Sequence, residues 1–134
     1  MWQINVFEEA FMFRHILSAA LLLLMLVWSS ACTQKVSYIS DVKPILDDHC
    51  LECHTKGKKG YIKSGLSMED YAGLMKGTKF GPVIEPGSSV SSTLMRLVDH
   101  KADPSINMPH NQTRMEDDHI KMIKLWIDQG AKNN

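Results

Sequence analysis

The 134-residue chain balances 15 lysines and arginines against 15 aspartates and glutamates, for a formal net charge of zero at pH 7. That balance argues against a nucleic-acid partner, and the length suits one domain plus an export segment. Three cysteines are an odd count, awkward for a disulfide framework.

Ile16 to Trp28 is an uncharged, almost wholly apolar run, preceded by Arg14 and His15 and followed by Ser29, Ser30 and Ala31. This is the layout of a signal peptide, here residues 1–31. The thirteen apolar residues fall short of the roughly 20 that cross a bilayer as a permanent helix. Glu8 and Glu9 make a poor positively charged leader, whereas a start at Met12 puts Met-Phe-Arg-His ahead of the run. Met12 is therefore the expected start. Cys32 follows the small residues as it does at a bacterial lipoprotein processing site, although Ser29 stands where such sites usually carry Leu. Lipidation of Cys32 is the expectation. Plain cleavage near Ala31 and an uncleaved anchor are the alternatives. All three put residues 38–134 outside the cytoplasm, in a bacterial cell envelope, with residues 32–37 as lipidated cysteine and short polar tether.

The first helix of the domain is expected to start at Ser40 or Asp41, with Pro44 in its first turn and Val42, Ile45 and Leu46 on one face. It leads into Cys50-Leu51-Glu52-Cys53-His54. Two thiols three residues apart on a helical turn share a face, so both can reach the two vinyl groups on one edge of a porphyrin. An imidazole directly after them is placed to ligate the iron. The pentapeptide thus reads as the attachment site of one c-type haem, with Cys50 and Cys53 as covalent anchors and His54 as proximal ligand. A redox dithiol normally sits in a strand–helix context that this chain lacks. A zinc site drawn from His49, Cys50, Cys53 and His54 would lack a second close-spaced ligand pair. His49 itself is read as a surface or capping residue.

Thr55 to Ser64, with two glycines and four lysines, reads as a loop that wraps the proximal side. A backbone carbonyl near it is expected to accept from the second nitrogen of His54. The lysines Lys56, Lys58, Lys59 and Lys63 are either a solvated face or a steering surface for an acidic redox partner. Ser67 is expected to cap a short helix with Asp70 three residues on, and Gly77 to stop it after Lys76. Val83 and Ile84 form the apolar centre of a turn-rich stretch. Ser88 to Ser92 offer caps for a helix through about Val98, with Leu94, Leu97 and Val98 as its buried stripe.

A haem iron with one histidine needs either a sixth ligand, for electron transfer, or an open site for chemistry. Met108 is the strongest candidate, in a loop stiffened by Pro104 and Pro109. Met115, His100, His110 and His119 are its rivals, while Met75, Met95 and Met122 fall on helical patterns that suit core packing. The last helix spans about residues 116–129, with acids in its first turn, a stripe of Ile120, Ile123, Trp126 and Ile127, and Gly130 as its stop. The indole N–H of Trp126 needs a partner if buried. No sheet pattern appears, so the fold is expected to be all-α and loop-rich.

Pro44-Ile45-Leu46 ahead of the pentapeptide, Ser64-Gly65-Leu66-Ser67, Gly81 to Gly87, Ser92-x-Leu94, Met108-Pro109 and Trp126-Ile127-x-x-Gly130-Ala131 together resemble the planctomycete-type cytochrome c domain. The resemblance covers nearly everything after about Ser37. It implies a class I cytochrome c-like small helical bundle around one haem c, with the Met-Pro methionine, Met108, as distal ligand. The expected function is single-electron transfer between redox partner proteins by a membrane-tethered monohaem cytochrome. No nucleophile–base pair or second cofactor fingerprint argues for an enzyme. The competing classes are a haem-based sensor with a displaceable Met108 and a haem-bearing assembly subunit of a larger redox complex.

Overall fold

The computed structural model describes residues 34–134. The signal segment, Met12 and Cys32 lie outside the described residues. Residues Lys35–Asn134 make one compact unit. Its elements are a π-turn, Tyr38–Val42, that runs into α1, Lys43–His49, then α2, Leu51–His54, α3, Lys59–Ser64, and α4, Tyr71–Lys76. They are followed by α5, Thr93–Val98, a 3-10 turn, Pro104–Ile106, and α6, Asp117–Asp128. Among the described residues there is no strand, only an isolated bridge between Thr78 and Gly81. The all-α expectation is met.

The first helix starts earlier than the sequence reading put it. Ser37, not Ser40 or Asp41, is the cap: its hydroxyl accepts from the Ser40 N–H at 3.2 Å, and Asp41 returns the favour by accepting from the Ser37 N–H at 2.7 Å. Pro44 is the second residue of α1, in its first turn as expected, and the π-turn runs directly into it. A proline there has no N–H and presses on the carbonyl one turn back. The wide π-turn just ahead of it absorbs both problems, since Val42 and Lys43 donate five residues back to Ser37 and Tyr38. Val36 is buried and Ser37 is the cap, so the end of the expected tether is packed into the domain.

What moved the start is a long-range contact. Asn134 accepts from the Ser37 hydroxyl at 2.7 Å and from the Tyr38 N–H at 3.0 Å, and Gln129 accepts from the Val36 N–H at 2.8 Å. These bonds join residues 36–38 to residues 129–134 beside the α1–α6 core. That core joins Val42, Leu46, Ile123, Trp126 and Ile127, all with 1% exposure or less. Burying side chains of this size contributes about 1.5–3 kcal/mol each before entropy is charged against it. The Trp126 indole donates to the Lys132 carbonyl at 2.9 Å, which meets the requirement set by its burial. The Tyr38 ring packs at 5.4 Å on Trp126 and edge-on at 5.2 Å on Tyr71.

The Tyr38 hydroxyl is buried with no hydrogen-bond partner. Burial, followed by the charges of Asp47 and Asp70, pushes its pKa up to about 12, so it stays a neutral phenol. An unpaired buried hydroxyl costs about 1–3 kcal/mol relative to a satisfied one. Tyr38→Phe is therefore expected to leave stability unchanged or raise it by about 1 kcal/mol, read as the midpoint of urea unfolding. A clear loss would mean that the hydroxyl has a partner.

Other boundaries fell where expected. Gly77 ends α4 at φ +78°, and a β-carbon there would sit 2.6 Å from the Gly81 carbonyl oxygen. Gly130 follows α6 at φ +98°. Met95 is buried and Met75 and Met122 pack on the core, as their spacing implied. Val83 and Ile84 are core residues. Ser92 precedes α5 but makes no side-chain cap; its hydroxyl instead accepts from the Glu85 N–H at 2.8 Å and donates to the Ser88 carbonyl at 2.9 Å, tying the turn-rich segment together.

Candidate haem site

Cys50 links α1 to α2. Its N–H donates to the Leu46 carbonyl at 2.9 Å, while its own carbonyl accepts from Cys53 at 3.2 Å and His54 at 3.0 Å. The short turn that spacing called for is therefore formed, and its two thiols differ in setting. Cys50 is buried and Cys53 exposed, and neither is in a disulfide. Burial, with smaller contributions from Cys53 and Asp47, pushes the Cys50 thiol up to about 12. A reactive dithiol needs the opposite, an electropositive site that favours the thiolate. Among the described residues no three His, Cys, Asp or Glu side chains converge as metal ligands.

His54 is buried, and its Nδ1 lies 3.3 Å from the Leu66 carbonyl oxygen. A carbonyl only accepts, so Nδ1 carries the proton and Nε2 is left with its lone pair. Burial lowers the pKa of this imidazole, with the Leu66 bond opposing in part, so it is held neutral, the form that binds a metal. The carbonyl that the sequence could not identify is thus Leu66. Its aim comes from Gly65, which caps α3 in the left-handed region at φ +80° and turns the chain back under the imidazole. The Met68 N–H then donates to the His54 carbonyl at 2.9 Å, giving a second tie.

The stretch after His54 is not the loop that was expected. Lys59–Ser64 is helical despite its glycine and its charges, because the helix packs directly on the motif. At Gly60 an added β-carbon would lie 2.6 Å from the Cys53 carbonyl oxygen and 3.1 Å from His54 Cε1. Only glycine permits that approach. Ser67, expected as a helix cap, is buried beside this turn and its hydroxyl donates to Glu69 at 3.0 Å. Asp70 is the cap of α4, accepting from the Gly73 N–H at 2.7 Å.

Met108 is half-buried and packs on the core. Its backbone is held at both ends: its N–H donates to the Leu97 carbonyl at 3.1 Å, and His100 Nε2 donates to its carbonyl at 3.1 Å. Asn107, buried next to it, accepts from the Ala102 N–H at 3.3 Å. The rivals have settings of their own. His100 is spent on the Met108 carbonyl, Met115 is core, His110 is exposed, and His119 Nδ1 lies 3.1 Å from His49 Nε2. His49, read as a surface or capping residue, is instead half of an imidazole pair between α1 and α6.

The loop that carries Met108 is braced by Arg114, which bridges Asp99 at 2.5 Å and Asp117 at 2.6 Å, with Lys101 also on Asp99. Hydrogen bonds from Lys101 and Arg114 hold the Asp99 carboxyl below its ordinary range. A depressed carboxylate contributes stability that is complete above the unfolded value of about 3.9 and is lost as pH falls through the folded value. Thermal melts from pH 7 to pH 3 should thus show an acid-side decline that Asp99→Asn flattens. Equal slopes in the two proteins would remove this brace from the account.

Residues 50–111 match the family model described as Planctomycete cytochrome C. The match begins at Cys50 and takes in the Gly65 turn and Met108. Comparison with curated proteins and with solved structures finds no match.

Proposed function

We propose that this chain, whose residues 50–111 form a planctomycete-type cytochrome c domain and so bring covalent haem c with them, is a monohaem electron carrier with His54 and Met108 as axial ligands. The haem, when bound, supplies a one-electron ferric–ferrous couple. The chain's own residues supply the rest. Cys50 and Cys53 would hold the ring by thioethers. Leu66 fixes the His54 tautomer and leaves Nε2 for the iron, and the Leu97 and His100 bonds hold the backbone of Met108, whose thioether would supply the second ligand. Ligands held in this way in both oxidation states leave little to reorganise on each transfer. The observation that carries the reading is the buried His54, with Nδ1 committed to Leu66 and Nε2 left for a metal.

The carrier works outside the cytoplasm of a bacterium, tethered to a membrane by lipid on Cys32, and exchanges electrons with a protein donor and a protein acceptor. Unmodified Cys32 by mass spectrometry of the purified protein would remove the tether. The central test is a pyridine haemochrome spectrum with a redox titration. One covalently attached haem c with a reversible one-electron wave is expected, and Cys50→Ala with Cys53→Ala should abolish the attachment. A protein free of haem after expression with a cytochrome c maturation system would reject the reading.

A further inference from the structure

The segment from Lys56 to Phe80 carries a surface that the haem site does not use. Six lysines, Lys56, Lys58, Lys59, Lys63, Lys76 and Lys79, are all exposed there. The only acids in this stretch are Glu69 and Asp70, and both are committed to local hydrogen bonds. None of the six lysines makes an ion pair with a described residue, whereas Lys43, Lys101 and Lys124 elsewhere each pair with an aspartate. In a chain with zero net charge this leaves a local positive field.

Two large apolar side chains are exposed in the same segment. Ile62, on α3, is 68% exposed, and Phe80 is 83% exposed, with the Lys79 ammonium 5.2 Å from its ring centroid. The two segments that carry them are joined, since the Lys79 N–H donates to the Ser64 carbonyl at 2.8 Å and Gly65 packs against Lys79. Aromatic anchors are the side chains that dominate protein interfaces, and a charged surround steers encounter. The position matters as much as the composition. Through Gly60 the backbone of α3 lies against both Cys53 and the His54 ring, so a molecule seated on the outer side of α3 is one helix away from the proximal ligand.

We infer that α3 and the Thr78–Gly81 turn form the docking surface for an acidic redox protein, which exchanges electrons with the haem from the proximal side. The inference rests on the electron-carrier reading. An anionic membrane is the other occupant that lysines and an aromatic side chain could attract. The surface suits it less: α3 is six residues long with lysines at Lys59 and Lys63, which leaves no continuous apolar face to bury in lipid.

The test uses the haem-loaded protein and a plant-type two-iron ferredoxin, a small acidic one-electron donor, as probe. Binding is measured by calorimetry and by amide chemical shifts, and reduction by stopped flow. Shifts should cluster over residues 58–65 and 78–81, and affinity and rate should fall as salt is raised. Lys58→Glu, Lys59→Glu and Lys63→Glu combined should slow reduction by about tenfold or more at low salt, and Phe80→Ala should weaken binding without changing the salt slope. The matched reversal of Lys121, Lys124 and Lys132 should do much less. A neutral hydroquinone should reduce all variants at equal rates. If both reversals slow the ferredoxin equally, or if shifts fall elsewhere, the docking surface is wrong while the carrier stands. If neither donor reduces the protein, the carrier reading fails and this inference with it. Sedimentation with phosphatidylglycerol vesicles that is lost in the Lys58/Lys59/Lys63 variant, together with unchanged ferredoxin kinetics, would assign the surface to lipid and overturn the proposal.

Discussion

Met108→Ala is expected to leave the haem attached and to open its distal face. In the proposed carrier the covalent attachment would reside in Cys50 and Cys53, which the substitution does not touch. The loop should also survive, because the bonds that hold it at Met108 are made by its backbone N–H and carbonyl, to Leu97 and His100. Loss of a half-buried methionine side chain costs less than the 2–5 kcal/mol of a fully buried one. The electronic consequence is larger. A soft thioether favours ferrous iron, so its removal should lower the potential by on the order of 0.1 V, within the ~0.8 V range that axial ligands command. Carbon monoxide should then bind the reduced variant rapidly, where the parent protein binds it slowly. An unchanged spectrum with slow carbon monoxide binding would exclude Met108 as the ligand. Fast binding by the parent protein itself would favour a ligand sensor over a carrier.

Gly60→Ala should be strongly destabilising although it deletes nothing. The added methyl would meet the Cys53 carbonyl oxygen at 2.6 Å and the carbonyl carbon at 3.0 Å, both rigid backbone atoms of the Cys50–His54 turn. Overpacking of this kind costs about 1–3 kcal/mol, against a gain of up to about 1 kcal/mol from better helix propensity. A net loss of 1 kcal/mol would lower the melting temperature of a domain this size by about 4–8 °C. The third contact, 3.1 Å to His54 Cε1, adds a readout that simple instability would not give. A shifted α3 pushes on the imidazole and loosens its bond to Leu66, so the potential and the ferric spectrum should change in the folded variant. If residues 55–64 were the loop that their composition suggests, both measurements would be unaffected.

Gly60 also marks the limit of what residue patterns convey. Four lysines and two glycines between Thr55 and Ser64 predict no helix, since local propensity is all that composition reports. The helix exists because its glycine fits against Cys53, a contact invisible before the chain folds. The first helix makes the same point. Ser37, Ser40 and Asp41 all have capping side chains, and the choice among them fell to Ser37 because Asn134, 97 residues away in sequence, meets its hydroxyl. His49 looked like a surface residue until His119, 70 positions on, came to face it. Asp70 took the cap role expected of Ser67, which is buried and bonded to Glu69 instead.

The haem motif, the all-helical class and the last helix needed no tertiary information. Cys50, Cys53 and His54 lie within one turn, so their proposed role is read from spacing alone, and the α6 stripe repeats at the helical period over a length that leaves no other reading. Only the folded chain decided which carbonyl orients His54, what holds Met108 in its loop, and which lysines are left without a partner. Each of those depends on groups far apart in sequence meeting at hydrogen-bond distance. Their identities are in the sequence, but their meeting is a property of the packed core.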